Sequence, residues 1–138
     1  MIDKISKSIK LKVAQRAKFC CEYCLFPEAF LATFFHVDHI RSLKHGGLTI
    51  LYNLAYACPH CNQNKGSDVA TFIGRSDESL VRFFNPRKDI WQEHFELYNG
   101  QILGKTQIGE ATAFILGFNE PDKIIFRQAL IDCKLFPH

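Results

Sequence analysis

The sequence predicts a small α+β domain whose first half is closed by cysteines and whose second half is a hairpin with helices. Three observations carry this. Two Cys-x-x-Cys pairs, Cys21/Cys24 and Cys58/Cys61, are separated by 33 residues. Residues 3–18 place Ile5, Ile9, Val13 and Ala17 at steps of four, with Leu11 and Ala14 beside that stripe, a helical period with lysines on the other face. Asn99-Gly100 joins two short runs, 94–98 and 101–105, and is the strongest short-range hairpin signal.

The remaining elements follow in order. Residues 19–27 form the first cysteine turn, and 36–40 read as a short strand. Gly46-Gly47 punctuates a loop. Residues 49–57 return to the second cysteine turn, and 58–65 enter a short helix ended at Gly66. Residues 67–82 read as part helix, part loop, and 108–118 as helix. Asn119 is expected to cap a last helix, with Pro121 in its first turn and Asp122 near the positive end of its dipole. Ile124, Ile125, Ala129, Leu130 and Cys133 are its expected buried face. Phe30, Phe34 and Phe35 are expected in the core, and Trp91, His94 and Cys133 in packing roles. The chain is expected to be one domain over 1–138, with a core at about 16–66 and an α/β extension at about 67–138.

Composition narrows the class. With 138 residues and 47% apolar content, the chain is one-domain size and is not compositionally disordered. On general scaling such a chain buries roughly two-thirds of its unfolded surface. No apolar run approaches the roughly 20 residues of a membrane span. No secretory signal is visible, so a cytoplasmic location is expected and the six cysteines are expected to ligate metal rather than form disulfides. The net charge is +3, and Lys4, Lys7, Lys10, Lys12, Arg16 and Lys18 crowd the first 18 residues, with Asp3 the only acid before Glu22. Such a basic arm suits phosphate contacts, although a solvated helix face is equally common.

Zinc favours four tetrahedral ligands, and Cys-x-x-Cys brings two thiolates to one ion from a single turn. Cys21, Cys24, Cys58 and Cys61 are therefore the expected zinc ligands. Cys20 is an off-by-one alternative to Cys21, one residue too far from Cys24. Buried unliganded cysteines or a redox pair are the competing reading. Metal binding of this kind is worth on the order of 10–16 kcal/mol at neutral pH, which a segment this small needs in order to fold.

Between the pairs lie His36-Val-Asp38-His39, then Asn53, and Asn62 follows the last cysteine. Phosphodiester hydrolysis needs a base for water and a cation against the phosphate charge. An imidazole titrating near 6.5 suits His39 to the first task. Asp38 and Asn62 offer hard oxygens of the kind that hold magnesium with retained waters. Strict strand alternation would put Asp38 and His39 on opposite faces, so the strand must end or twist there for both to serve one site. His36 shares the Asp38 face and is read as a supporting polar residue. His60 is expected to face solvent; Arg41, Lys44 and Lys65 are candidate phosphate contacts or plain surface charge, and His45 lies near the site in sequence.

These residues resemble the HNH endonucleases, a family with a ββα-metal fold. The family pattern is met by Asp38-His39, Gly46-Gly47, Asn53, Cys61-Asn62 and Lys65-Gly66, and covers about residues 16–66. The resemblance implies His39 as general base, Asp38 and Asn62 on a catalytic Mg2+ or Mn2+ ion, and Asn53 fixing the loop and the His39 orientation. The chain departs from the family name at the last position, where Asn62 stands in place of His; an amide suits magnesium or manganese better than softer metals. The stretch from Phe84-Asn-Pro-Arg87 through Trp91 to Phe95, with the hairpin after it, is similar to an extension carried by some small bacterial members. The expected function is a divalent-metal-dependent endonuclease, with DNA the expected substrate. A non-catalytic, zinc-stabilised nucleic-acid-binding module is the alternative, and a nuclease acting on RNA, or serving as a toxin or defence effector, is a third.

Overall fold

The computed structural model describes residues 5–76 and 79–137. Ser6 caps the first helix, α1 (Lys7–Arg16), by accepting a hydrogen bond from the Ile9 amide at 3.2 Å. Asp3 and Lys4 lie outside the described residues. The stripe is narrower than its period suggests: Val13 and Ala14 are buried, whereas Leu11 is half exposed. Lys18 and Phe19 then turn the chain with φ of +55° and +57°.

Strand β1 (His36–His39) pairs antiparallel with β2 (Leu54–Ala57), Asp38 opposite Ala55. Helix α2 (Pro59–Lys65) packs on both, and α1 packs on β2. Cys58 caps α2 with its sulfur, Pro59 fills the first position where no N–H is needed, and Gly66 ends the helix at φ +52°. Strand, strand and helix thus form a ββα unit around the cysteines.

Residues 67–82 differ from expectation. The described residues among them carry no helix, and β3 (Ala70–Phe72) pairs antiparallel with β4 (Leu80–Arg82). Strands of three residues are too short to show a period. A one-turn helix, α3 (Trp91–His94), leads into β5 (Phe95–Tyr98), which pairs with β6 (Gln101–Gly104). Asn99 and Gly100 have φ of +50° and +81°, the positive values a two-residue hairpin turn demands. Thr106 caps α4 (Gln107–Ile115), which lies against β6 and the β3–β4 hairpin.

The last helix, α5 (Pro121–Asp132), corrects two expectations. Glu120, not Asn119, is its N-cap residue. The Asn119 amide instead accepts from Ile102 N and donates to Ile102 O, both at 2.8 Å, so it pins β6. The buried face is also rotated: Arg127 and Leu130 are inside, while Ile125 is 66% exposed and Ala129 and Cys133 face solvent. The Arg127 guanidinium donates to the carbonyls of Gly100 and Phe118 and to Asn119 Oδ1. Three carbonyl acceptors make a buried cation tolerable, and its charge hides the apolar period of the helix.

One cluster of buried side chains runs from Val13 through Tyr23, Phe26 and Leu54 to Phe84, Phe95 and Phe118. Phe35 belongs to it, but Phe34 is 87% exposed and Phe30 also faces solvent, against expectation. Trp91 tilts over Phe95 at 5.0 Å, and the His94 ring meets Phe84 edge-on.

Candidate functional site

The two cysteine turns face each other across the β1–β2 hairpin. The sulfurs of Cys21, Cys24, Cys58 and Cys61 all lie within 4.8 Å of one another, and all four residues are buried. Cys20 is not among them; its sulfur points to the Lys18 carbonyl at 3.5 Å. Burial pushes the Cys21 and Cys61 thiols well up, while hydrogen bonds from the other three hold Cys58 down. Four thiolates in so small a buried space need a cation, and the soft tetrahedral donor set suits a structural zinc ion.

Next to this cluster an open groove of about 350 Å³ runs between the end of β1 and α2, lined by Asp38, His39, Ser42, Lys44, Asn62 and Ser67 among others. The strand ends at His39, so successive residues Asp38 and His39 both reach the groove. His39 Nε2 meets Thr49 Oγ1 at 2.9 Å. The Asn62 side chain makes no hydrogen bond within the described residues and remains available to a ligand.

Asp38 is 5% exposed and held by two side chains. Its Oδ2 accepts from the Tyr23 hydroxyl at 2.7 Å and lies 3.2 Å from Lys65 Nζ, which also donates to Oδ1 at 3.3 Å. Burial lifts the Asp38 carboxyl above its ordinary range, and Lys65 and Tyr23 pull it back. Burial and the adjoining carboxylate push the Tyr23 phenol well up, so it donates without ionising. A carboxylate offers about four lone-pair sites. One therefore remains unengaged, and Asn62 lines the same groove; hard oxygens of these two kinds suit magnesium or manganese.

Asn53 stands behind the groove. Its Oδ1 accepts from Arg41 N, and its Nδ2 donates to the carbonyls of Arg41 and Leu48, each at 2.9 Å. The loop fits this amide closely: a Cβ on Gly47 would sit 1.7 Å from Arg41 O and 2.9 Å from Asn53 Nδ2. Arg16 secures the same turn from α1, donating to the carbonyls of Leu51 and Leu54.

Other expectations divide. Lys44, Arg41, His45 and His36 are exposed. Lys65 is not a surface charge: it is 2% exposed and committed to Asp38 and the His39 carbonyl. His60 does not face solvent freely; Nε2 lies 3.2 Å from Gly117 O and 3.1 Å from Asn64 Nδ2, clipping α2 to the end of α4. Tyr23, Thr49 and Ser42 escaped the sequence reading. Tyr23 sits inside a metal turn, where no periodicity points to its partner, and Thr49 and Ser42 lie in irregular loop.

The architecture is two short antiparallel strands and a helix around a four-cysteine cluster able to hold a metal ion, with a polar groove beside it. Residues 21–68, about a third of the chain, match the family model for HNH endonucleases. The chain is similar to Septu protein PtuB of Bacillus thuringiensis, 25% identical over 128 residues, covering 91% of this chain and 47% of that protein. The chain thus spans about half the length of the curated relative it matches. No solved structure matches it. No helix among the described residues is long and apolar enough to cross a membrane.

Proposed function

We propose that the chain is a divalent-metal-dependent endonuclease that hydrolyses phosphodiester bonds in nucleic acid, with DNA the first substrate to test. The supporting observation is that Asp38, His39 and Asn62 line one groove beside the four-cysteine cluster. Asp38 and Asn62 would hold a magnesium or manganese ion, which supplies positive charge against the phosphate oxygens. With Nε2 protonated and donating to Thr49, the His39 ring keeps Nδ1 as proton acceptor. Nδ1 takes a proton from water as the water oxygen bonds to phosphorus. The bond from phosphorus to the leaving sugar oxygen then breaks, that oxygen takes a proton from solvent water, and the His39 imidazolium returns its proton to solvent. One strand end carries phosphate and the other a hydroxyl. Asn53 keeps the loop in place and touches none of the reacting atoms, and Lys44 on the groove wall is suited to a neighbouring phosphate.

One observation favours a second reading, a zinc-stabilised nucleic-acid-binding module without catalysis: Lys65 already neutralises Asp38. Zinc-loaded protein incubated with supercoiled plasmid, and separately with structured RNA, with and without Mn2+, separates the two. Strand breaks that require the added ion support the nuclease. Retarded but uncut nucleic acid at saturating Mn2+ supports the binding module.

A further inference from the structure

Tyr23 lies between two of the zinc-turn cysteines, yet its side chain does not serve that cluster. The residue is fully buried, and its hydroxyl ends on Asp38 Oδ2 at 2.7 Å. The turn is fixed from outside as well, since Trp91 Nε1 donates to the Tyr23 carbonyl at 2.8 Å. From the other side comes Lys65, at the end of the helix that begins on Cys58. Its ammonium has three protons and three acceptors within reach: Asp38 Oδ1, Asp38 Oδ2 and the His39 carbonyl. The first cysteine turn, and the far end of the helix that leaves the second, thus each send one side chain to the same carboxylate.

This arrangement constrains the carboxylate in a specific way. Asp38 stands where β1 ends, and a carboxylate there is free to turn about χ2. Tyr23 takes one lone pair of Oδ2 and Lys65 spans both oxygens, so one orientation is selected. Carboxylates that ligate metals are themselves hydrogen-bonded, and removing such partners typically weakens metal affinity about 10- to 100-fold.

We propose that Tyr23 is a positioning residue for the catalytic cation: by holding Asp38 in one orientation, with Lys65 as its counter-ion, it lets the zinc turn set the affinity of the second metal. This inference rests on the reading that Asp38 ligates that cation. It makes Tyr23 more than a core aromatic with a satisfied hydroxyl.

The test is an Mn2+ titration followed by electron paramagnetic resonance, on full-length zinc-replete protein without nucleic acid. Wild type, Tyr23→Phe and Asp38→Ala are compared, with zinc content and melting temperature measured on each. Tyr23→Phe should keep its zinc and bind Mn2+ about 10- to 100-fold more weakly. Its cleavage rate should recover towards wild type at saturating Mn2+, a split that general destabilisation does not produce. On the Asp38→Ala background, Tyr23→Phe should add nothing to the loss of Mn2+ affinity, because the hydroxyl acts through that carboxylate. A measurement on wild type needs no variant: the hydrogen-bonded Tyr23 hydroxyl proton should shift on Mg2+ addition, with the midpoint of cation binding. Unchanged Mn2+ affinity in a folded Tyr23→Phe, or a hydroxyl resonance indifferent to Mg2+, overturns the inference while Asp38→Ala still loses the ion. Mn2+ affinity unchanged in Asp38→Ala removes the underlying reading instead.

Discussion

Asn53 grips Arg41 through both ends of one amide: Oδ1 accepts from the Arg41 N–H and Nδ2 donates to the Arg41 carbonyl, each at 2.9 Å. This pairing closes the loop between the two strands just beyond His39. Replacing Asn53 by Ala leaves these backbone groups without their partner, which costs about 1–3 kcal/mol per buried group left unpaired, and less where water can enter. Asn53→Ala should therefore keep zinc, lose part of its stability, and exchange the Arg41 amide hydrogen much faster than wild type. Nuclease activity, where present, should fall with it. Unaltered exchange at Arg41 would mean that the loop is held by something else.

The four-cysteine cluster should govern folding and the neighbouring Cys20 should not. Chelation of zinc, or Cys58→Ser, is expected to abolish most secondary structure of residues 21–68, because the site contributes on the order of 10–16 kcal/mol when filled. Cys20→Ser should retain one zinc per chain and a near-native circular dichroism spectrum. Loss of zinc from Cys20→Ser would show that the off-by-one ligand is used.

How much of this was legible in the sequence depended on the range of the interactions. Asn99-Gly100 announces its hairpin because the turn's positive φ values are a local demand of two residues. The cysteine turns were legible for the same reason, since two thiolates on one ion need a fixed short spacing; Asp38, His39 and Asn62 stood out by resemblance, and the fold brings the three to one groove. Lys65 and His60 were misread because their partners are distant: Lys65 reaches Asp38 from 27 residues away and His60 reaches Gly117 from 57. Both look like surface polar residues until the fold brings those acceptors to them. Arg127 misled in the opposite direction. A cation at the centre of the buried face of α5 breaks the apolar period, so Ile125 and Cys133 looked inside when they are not. The β3–β4 hairpin was lost because three-residue strands carry too few side chains to alternate.

A pH dependence follows from the turn after β4. Asp89 takes both Arg82 guanidinium nitrogens, at 2.7 and 2.9 Å, and the Asn85 amide at 2.8 Å. The Arg82 hydrogen bonds hold its carboxyl below the ordinary carboxylate range. A folded-state pKa below the unfolded one gives stability that is present above about pH 4, the unfolded value. That stability is lost as pH falls through the folded value. Wild type should therefore lose more stability than Asp89→Asn on acidification below about pH 4, measured by urea denaturation. Parallel acid branches in the two proteins would show that the ion pair contributes nothing net, as surface pairs often do.

The basic N-terminal segment offers a test of the nucleic-acid reading that does not depend on chemistry. Lys7, Lys10, Lys12 and Lys18 are exposed, and none pairs with an acid among the described residues. Changing Lys7, Lys10 and Lys12 together to Gln should weaken binding to duplex DNA. The salt dependence should flatten by about 0.9 for each phosphate that is no longer neutralised. An unchanged slope would assign these lysines to solvent.

The central claim is that His39 activates water in the groove, and one measurement addresses it most directly. Supercoiled-plasmid nicking by zinc-replete wild type and His39→Ala should be compared at saturating Mn2+, with zinc content and melting temperature measured on the same samples. A lost general base lowers the rate by roughly 10²- to 10⁴-fold, so the folded mutant should be nearly inactive while the wild type cuts. A folded, zinc-replete His39→Ala that nicks at the wild-type rate would contradict the account.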